Sequence, residues 1–558
     1  MGRGVAARFA CIIFPLLLLA VFVVTFNPNV NRWSVNFAWL AALLVWSFGI
    51  WYQDRAPQDS AFDRKHVWPL VFFIPVFGAL WLPFYDNWRW VDAGDSFGWY
   101  LLPLLAARNG LSRSILSVYG VFDIFTYTEV ILVNCLMFVF GPDFFWHRAG
   151  NFLISTLSLV AIYAFFSLIL DFPWAVAIII ATAATWHWQV MSHLSWNHID
   201  SFIFAYLALS AFTLILRDPE RRTRWLALGA VGGLSLFFTA TAWAEVTACG
   251  MVIGIWALYR RKFVPLAVTG ATFLIASLPV LLQLPHFFSA ASTQSRIDWD
   301  WPYLSRIFRA IFWLPAARQL SEIQFAGAVA VRPCGDLYLA GLSIAALSIV
   351  PSIRRRLRLP PAAIGLLFLF LAEALLMTLT NNLNASPSPK RTYHLIPLQV
   401  FFALLPLYTV AVAVRAASFR YRAATALAFL AVGAYAVVNA SLLISPQRFA
   451  GNLYDALVQV HQRFPDRKVL LFSPQPWVGA EVGNPDAMIN SVYHVADAVT
   501  VTGTIDESVV VAACSAGNLL CDYAQPENVE QLQRAAAGHQ LRKVNLFQVV
   551  ELQCFECP

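Results

Sequence analysis

Charged residues are scarce in this sequence: Asp, Glu, Lys and Arg make up only 12% of its 558 residues, while 59% are hydrophobic. So few polar side chains cannot cover a water-soluble globule of this size, which excludes the soluble class. The mean hydropathy of +0.63 agrees. Apolar runs of about 20 residues recur along the chain, and each can cross a bilayer as a helix. The sequence therefore predicts a polytopic α-helical membrane protein embedded in a lipid bilayer.

Other signatures are missing as well. We find no glycine-rich phosphate loop, and the net charge of +7 forms no basic patch of the kind that binds nucleic acid. The two halves of the chain show no internal repeat, which many transporters have. The first apolar run, residues 10–26, lacks a convincing small-x-small cleavage site, so we interpret it as a first span and not as a signal peptide.

The apolar runs divide the chain into three parts. Residues 1–66 hold two N-terminal spans and an inside loop, residues 67–444 form the main transmembrane module with outer loops 85–148 and 285–336, and residues 445–558 form a tail. About thirteen spans are predicted near 9–26, 35–52, 67–84, 149–170, 173–190, 199–216, 225–242, 244–259, 264–284, 337–353, 361–380, 395–414 and 423–444.

Arginine and lysine sort the loops into two sides. One side carries clusters at residues 3–8, 55–65, 217–224, 260–262, 354–358 and 415–422. The positive-inside rule makes that side cytoplasmic. We therefore predict a multi-pass protein of the inner (plasma) membrane with a cytoplasmic N-terminus and an extracytoplasmic tail. Residues 123–140 are apolar enough to span, but a span there would invert every later loop, so we predict an interfacial helix.

The tail has a different composition from the rest of the chain. Its patterns predict helices over 452–463, 487–497 and 527–537 and strands over 468–472, 499–502, 508–513 and 544–552. This alternation over about 110 residues indicates a small extracytoplasmic (periplasmic) α/β domain.

Four of the eight cysteines lie in the tail: Cys514, Cys521, Cys554 and Cys557. An oxidising compartment favours disulfides between them, for which three pairings exist. The alternative is a four-cysteine zinc site, which the six-residue gap between Cys514 and Cys521 fits poorly.

Three outer stretches carry residues suited to chemistry. Asp92 and Asp95 lie among aromatics at a membrane border, where a carboxylate is costly to bury without a function. Arg296 lies in the loop after residue 284, and a basic stretch, residues 390–394, opens a late span. Arginine and lysine bind phosphate, and a carboxylate can take a proton from a hydroxyl. The structural alternatives are a solvated aromatic loop and a basic pair that contacts lipid headgroups.

Three segments resemble the GT-C glycosyltransferases that use polyprenyl-phosphate sugars. Residues 95–110 resemble the family's first outer loop, residues 140–155 resemble the start of its next span, and residues 390–398 resemble an Arg-Tyr-x-x-Pro stretch opening a late span. The resemblance extends over about 67–444. It is to the protein O-mannosyltransferases and the lipid A aminoarabinose transferases, and it implies a GT-C-like module.

The resemblance implies Asp95 as the catalytic base, with Asp92 as the alternative, because Ser96 stands where the family often has Glu. It also implies that Arg391 and Lys390 hold the lipid-linked phosphate. The candidate substrate-binding residues are Lys390, Arg391, Tyr393, His394, Arg296 and Arg148. The implied reaction is an inverting transfer from a polyprenyl-phosphate-linked sugar to a hydroxyl of a glycan, lipid or protein acceptor, with no nucleic acid involved.

A divalent metal is the one cofactor that the residues suggest. His193, His198 and Asp200 would be its ligands, although their spacing matches no established pattern, and polar residues at a loop or helix end are the structural alternative. Glu245 and Glu373 lie in or near spans, where an acid is either functional or hydrogen-bonded between helices.

Three other functions remain open from the sequence. A transporter or flippase for lipid-linked sugars would place charges near the bilayer midplane. A polymerase or ligase of lipid-linked glycans would share the donor and a large outer loop. An assembly protein would use the tail to bind a partner, and Asp92 and Asp95 would then be dispensable.

Overall fold

The computed structural model of the chain is a bundle of helices followed by a mixed β-sheet. Apart from a few single residues, it describes residues 3–25, 33–54, 144–185, 199–238, 242–282, 332–357, 362–380, 394–414, 418–444, 462–472, 499–502, 505–523, 526–536, 539–544 and 552–557. The predicted span 67–84 lies outside these residues, as do the predicted helix 487–497 and most of the predicted interfacial helix 123–140 and helix 452–463.

Thirteen helices precede the sheet in the described ranges. They are α1 (Arg3–Thr25), α2 (Trp33–Gln53), α3 (Phe144–Ile169), α4 (Phe172–Ala183), α5 (Asp200–Arg217), α6 (Arg222–Phe238), α7 (Trp243–Tyr259), α8 (Phe263–Leu281), α9 (Arg332–Leu347), α10 (Pro351–Leu357), α11 (Ala362–Thr380), α12 (Ile396–Ala413) and α13 (Ser418–Ile444). A helix covers most or all of each predicted span that lies within the described residues. Apolar runs without water must satisfy their backbone polar groups internally, and the α-helix does this.

Four of the described helical segments are by themselves long and apolar enough to cross a membrane: Ala149–Ile169, Asp200–Arg217, Phe263–Leu281 and Ile396–Ala413. Several shorter apolar helices accompany them. The chain is therefore a multi-pass helical membrane protein, while the count of about thirteen spans stays a prediction.

The bundle is centred on α5 and α12. Helix α12 packs against α4, α9 and α13, and α5 packs against α3, α6 and α7. Both are apolar around most of their circumference, as expected for helices surrounded by others. Large apolar side chains such as Ile255, Phe263 and Leu430 are more than half exposed on outer helices. Such exposure suits contact with lipid tails.

Glycines allow two pairs of helices to approach closely. A Cβ atom at Gly229 or Gly233 of α6 would overlap atoms of α8, namely the Thr269 carbonyl oxygen and the Ala276 side chain. A Cβ atom at Gly341 of α9 would overlap the Phe402 carbonyl oxygen of α12. Small residues spaced in this way let helix backbones come together where no hydrophobic effect drives helix association.

Polar contacts gather several helix ends at one end of the bundle. Oδ2 of Asp54, just after α2, accepts hydrogen bonds from the Thr223 backbone N–H at 2.9 Å and the Thr223 hydroxyl at 2.7 Å, which caps α6. Arg217 donates to the Leu168 carbonyl at the end of α3, and Lys262 pairs with Glu220. Three of the loops that the sequence assigns to the cytoplasm, near residues 54, 217–223 and 262, thus contact one another.

The sheet has five strands: β1 (Val469–Phe472), β2 (Val499–Thr502), β3 (Leu519–Tyr523), β4 (Arg542–Val544) and β5 (Leu552–Glu556). Their spatial order is β2-β1-β3-β5-β4, with β1 parallel to β2 and β3, and β5 antiparallel to β3 and β4. Two helices, α14 (Glu507–Ser515) and α15 (Pro526–Ala535), pack together, and α14 also packs against β3.

One strand prediction in the tail is wrong. Residues 508–513 form most of α14, although their three successive valines favour a strand. Asp506 begins this helix because its carboxylate accepts hydrogen bonds from the Ser508 hydroxyl and backbone N–H, which also hold the pKa of this carboxyl below its usual range. Of the expected strand 544–552, Val544 belongs to β4 and Leu552 to β5, and residues 545–551 lie outside the described residues.

The four tail cysteines form two disulfides and not a zinc site. Cys521 pairs with Cys554, which lies directly opposite it in the β3–β5 ladder. Cys514 at the end of α14 pairs with Cys557 just after β5. Both disulfides therefore attach the C-terminal strand to the rest of the sheet and its helix.

We expect Gly341→Ala to destabilise the protein by about 1–3 kcal/mol, because the added methyl group overlaps the backbone of α12. The thermal unfolding midpoint of detergent-purified protein measures this effect. Gly365→Ala is the matched control, since a Cβ atom there meets nothing within 4 Å. Equal midpoints for the two variants would contradict the close approach of α9 and α12.

Peptide mapping without reductant is expected to find Cys514 linked to Cys557 and Cys521 linked to Cys554. Alkylation before and after reduction supplies the control, because paired cysteines react only after reduction. A link between Cys514 and Cys521, or stoichiometric zinc with four reduced thiols, would overturn this pairing.

Candidate functional site

Two side chains of α3 contact described residues that precede α5. Nδ2 of Asn151, a buried residue of α3, donates a hydrogen bond to the Ser192 carbonyl at 2.6 Å. The Ser158 hydroxyl donates to the Ile199 carbonyl at 2.9 Å. The chain that leads into α5 is thereby held against α3.

Asp200 is fully buried at the first residue of α5. A carboxylate is favourable there because the N-terminus of a helix carries partial positive charge. The other two suggested metal ligands, His193 and His198, lie outside the described residues. Within the described ranges, no group of three or more His, Cys, Asp or Glu side chains could hold a metal ion.

His394 is the member of the basic stretch that the structure describes. It lies in a short helical turn directly before α12, and its ring is 1% exposed. Its Nε2 atom contacts Oε1 of Glu373 on α11. Glu373 is fully buried, while Leu371 and Leu375 on either side of it are exposed, so the carboxylate faces the interior of the bundle.

The backbone of His394 is also held. The Tyr206 hydroxyl of α5 donates a hydrogen bond to the His394 carbonyl at 3.0 Å. The Tyr206 ring packs on α3, with ring centroids 5.8 Å from Phe165 and 6.0 Å from Phe166. Phe166 in turn stacks on Phe401 of α12 at 5.8 Å. One residue at the start of α12 is thus fixed by its side chain to α11 and by its backbone to α5.

Two atoms of this cluster have no hydrogen-bond partner in the described part of the chain. They are Oε2 of Glu373 and Nδ1 of His394, and both are buried. An unpaired buried polar atom costs about 1–3 kcal/mol, so such atoms are uncommon without a functional reason. An acid that contacts an imidazole is less costly to bury inside a membrane than an acid without a partner.

The remaining candidate residues are placed as follows. Arg148 lies near the start of α3. Eight others lie outside the described residues: Asp92, Asp95, Lys390, Arg391, Tyr393, Arg296, His193 and His198. The basic stretch is therefore represented by His394 alone.

The structure describes a hydrogen-bond contact for each of the two acids that lie in spans. Glu373 bonds between helices, as one alternative predicted. Oε1 of Glu245, on α7, accepts a weak hydrogen bond from Cys249 Sγ of the same helix at 3.8 Å. Sequence reasoning missed Tyr206, whose only signal was a hydroxyl among the apolar residues of a span.

His394→Leu or Glu373→Leu alone should lower stability by about 3–5 kcal/mol, because each leaves an uncompensated polar partner buried. The double variant should lose less stability than either single variant, since it leaves no buried polar side chain without its partner. Unfolding by SDS in mixed micelles measures all three. A double variant whose loss equals the sum of the single losses would show that the two side chains are not coupled.

No protein-family model and no curated relative matches the sequence. Solved structures do match. The crystal structure of ArnT from Cupriavidus metallidurans in the apo state has a TM-score of 0.52 and 13% identity, with 88% of this chain and 98% of that chain covered. The same protein bound to undecaprenyl phosphate has a TM-score of 0.48, 13% identity and coverage of 87% and 97%. The arabinosyltransferase EmbB from Mycobacterium smegmatis has a TM-score of 0.37, 13% identity and coverage of 74% and 45%.

ArnT is a lipid A aminoarabinose transferase of the GT-C superfamily, which is one of the groups that the sequence resembles. At 13% identity, the match to the apo structure is a likeness of fold over nearly the whole of that protein. The chain therefore has the fold of the GT-C glycosyltransferases, as its sequence predicted.

Proposed function

We propose that this protein is a membrane glycosyltransferase that moves a sugar from a polyprenyl-phosphate donor to an acceptor hydroxyl at the outer face of the inner (plasma) membrane. The GT-C fold supports a transferase of this class. The observation that carries the proposal is the anchoring of His394, because residues 390–393 lead directly into it. His394 is therefore a fixed point of the fold directly after the basic stretch in the sequence.

In this proposal Lys390 and Arg391 bind the phosphate of the donor and Tyr393 assists them. Arginine and lysine suit this role since they donate charge-assisted hydrogen bonds to phosphate oxygens. The polyprenyl chain would lie against the apolar surface between helices. Arg148, near the start of α3, and Arg296, in the second outer loop, are further candidates for contacts with the donor.

Asp95, or Asp92 in its place, acts as the general base. The acceptor oxygen forms a bond to the anomeric carbon while the bond from that carbon to the phosphate oxygen breaks. The aspartate takes the hydroxyl proton, and polyprenyl phosphate leaves with its new negative charge stabilised by the basic stretch. A single displacement of this kind inverts the anomeric centre. No step of this mechanism runs through a metal ion.

The tail fits an extracytoplasmic position. Its four cysteines form two disulfides, and disulfides persist in oxidising compartments. If the basic loops face the cytoplasm, the start of α12, the outer loops and the tail share the opposite side. The donor phosphate, the base and the acceptor would then meet in one compartment.

Asp95→Asn is expected to insert and fold normally but to lose at least about 100-fold in transfer, because an amide cannot take the hydroxyl proton. The assay incubates purified protein with radiolabelled polyprenyl-phosphate sugars and a membrane extract, and follows both the release of lipid phosphate and the movement of label. Asp92→Asn is run in parallel because it is the alternative base. Asp506→Asn is the matched control, since asparagine also caps a helix.

Each outcome decides one part of the proposal. Full activity in Asp95→Asn with loss in Asp92→Asn moves the role of base to Asp92, and full activity in both overturns the catalytic proposal. Movement of intact donor across a vesicle membrane without cleavage would indicate a transporter or flippase. Extension of a lipid-linked glycan by a second lipid-linked glycan would indicate a polymerase.

A further inference from the structure

We infer that Glu373 and Tyr206 are positioning residues for the lipid phosphate, acting through His394 on residues 390–393. This inference rests on the proposed function, in which those residues bind the donor. Neither side chain belongs to the candidate donor-binding stretch itself. Both lie on other helices, α11 and α5, and meet at the first turn before α12.

The geometry gives His394 two independent attachments. Glu373 contacts the ring, and Tyr206 bonds to the backbone carbonyl. The backbone N–H of Leu398, one turn further along α12, also faces the Tyr206 hydroxyl. Since one contact holds the side chain and the other holds the main chain, the residue can neither rotate nor slide along the helix axis without breaking one of them.

The position of His394 limits where the basic stretch can reach. Arg391 precedes His394 by three residues, and three residues of chain span at most about 11 Å. A shift in the first turn of α12 therefore moves the point from which Arg391 can reach the phosphate. Misplacement of a binding group by about 1 Å can cost as much as about 100-fold in function.

Helix packing alone does not account for this cluster. An apolar pair of similar volume often packs as stably as a buried acid and histidine, or more so. Here the polar pair is buried inside the bundle, with Glu373 Oε2 and His394 Nδ1 unpaired among the described residues. A costly buried polar pair directly after a candidate binding stretch fits a role in setting geometry.

The test measures binding of undecaprenyl phosphate to the full-length protein in detergent micelles. Tyr206→Phe removes one oxygen and leaves the ring packing, while Glu373→Gln keeps the shape and removes the charge. Each should weaken binding by about tenfold because the basic stretch is no longer held in place. Thr409→Val is the control, since Thr409 is buried on α12 and its hydroxyl donates to the Leu405 carbonyl of that helix.

Coupling to Arg391 separates positioning from general destabilisation. In an Arg391→Ala background, Tyr206→Phe should weaken binding by less than about threefold, because the group that it positions has already been removed. A loss of the same size in both backgrounds overturns the inference, and so does wild-type binding by Tyr206→Phe and Glu373→Gln. If Glu373→Gln does not fold, the binding of undecaprenyl phosphate by Tyr206→Phe alone tests the inference.

The same measurement separates this inference from the proposed function. Failure of the wild-type protein to bind undecaprenyl phosphate counts against the polyprenyl-phosphate donor, and so against both. Wild-type binding that Arg391→Ala weakens, together with full binding by Tyr206→Phe and Glu373→Gln, supports the donor site and removes only the positioning role.

Discussion

Polar groups inside a membrane bundle have no water to bind, so each must find its partner within the protein or remain unsatisfied at a cost. The pair formed by Glu373 and His394 is where this constraint is most demanding, because both side chains are almost completely buried. Their contact fixes the distance between α11 and α12, and the Tyr206 hydroxyl adds α5 to the same point. Two consecutive helices and one that is distant in the chain thus share one polar junction.

Close helix packing makes this junction possible. The backbone of α12 reaches α9 because residue 341 has no side chain, and α12 is consequently buried along most of its length. Elsewhere in the bundle, the carboxylate of Asp54 caps α6 and so connects the first helical pair to the core. Polar contacts therefore connect the helices at both of these places, and apolar side chains pack between the helices elsewhere.

The helices could be predicted from the sequence because an apolar run of sufficient length has one stable conformation in lipid. The strand Val499–Thr502 was predicted at the same residues that form it, and Val469–Phe472 within one residue. The prediction for residues 508–513 was wrong because their local propensity favours a strand. The cap at Asp506 and packing against β3 stabilise a helix there instead. The contact between Glu373 and His394 depends on how α11 and α12 are rotated about their axes, which a single sequence does not specify.

The place of the last strand governs when the tail can fold. β5 lies between β3 and β4 in the sheet, not at its edge, and it carries Cys554, with Cys557 just beyond it. Without residues 552–557, β3 lacks a neighbour on one side, and Cys514 and Cys521 lack their partners. The sheet can therefore close only once β5 is in place, and a variant that lacks these residues would present an open strand edge and two free thiols.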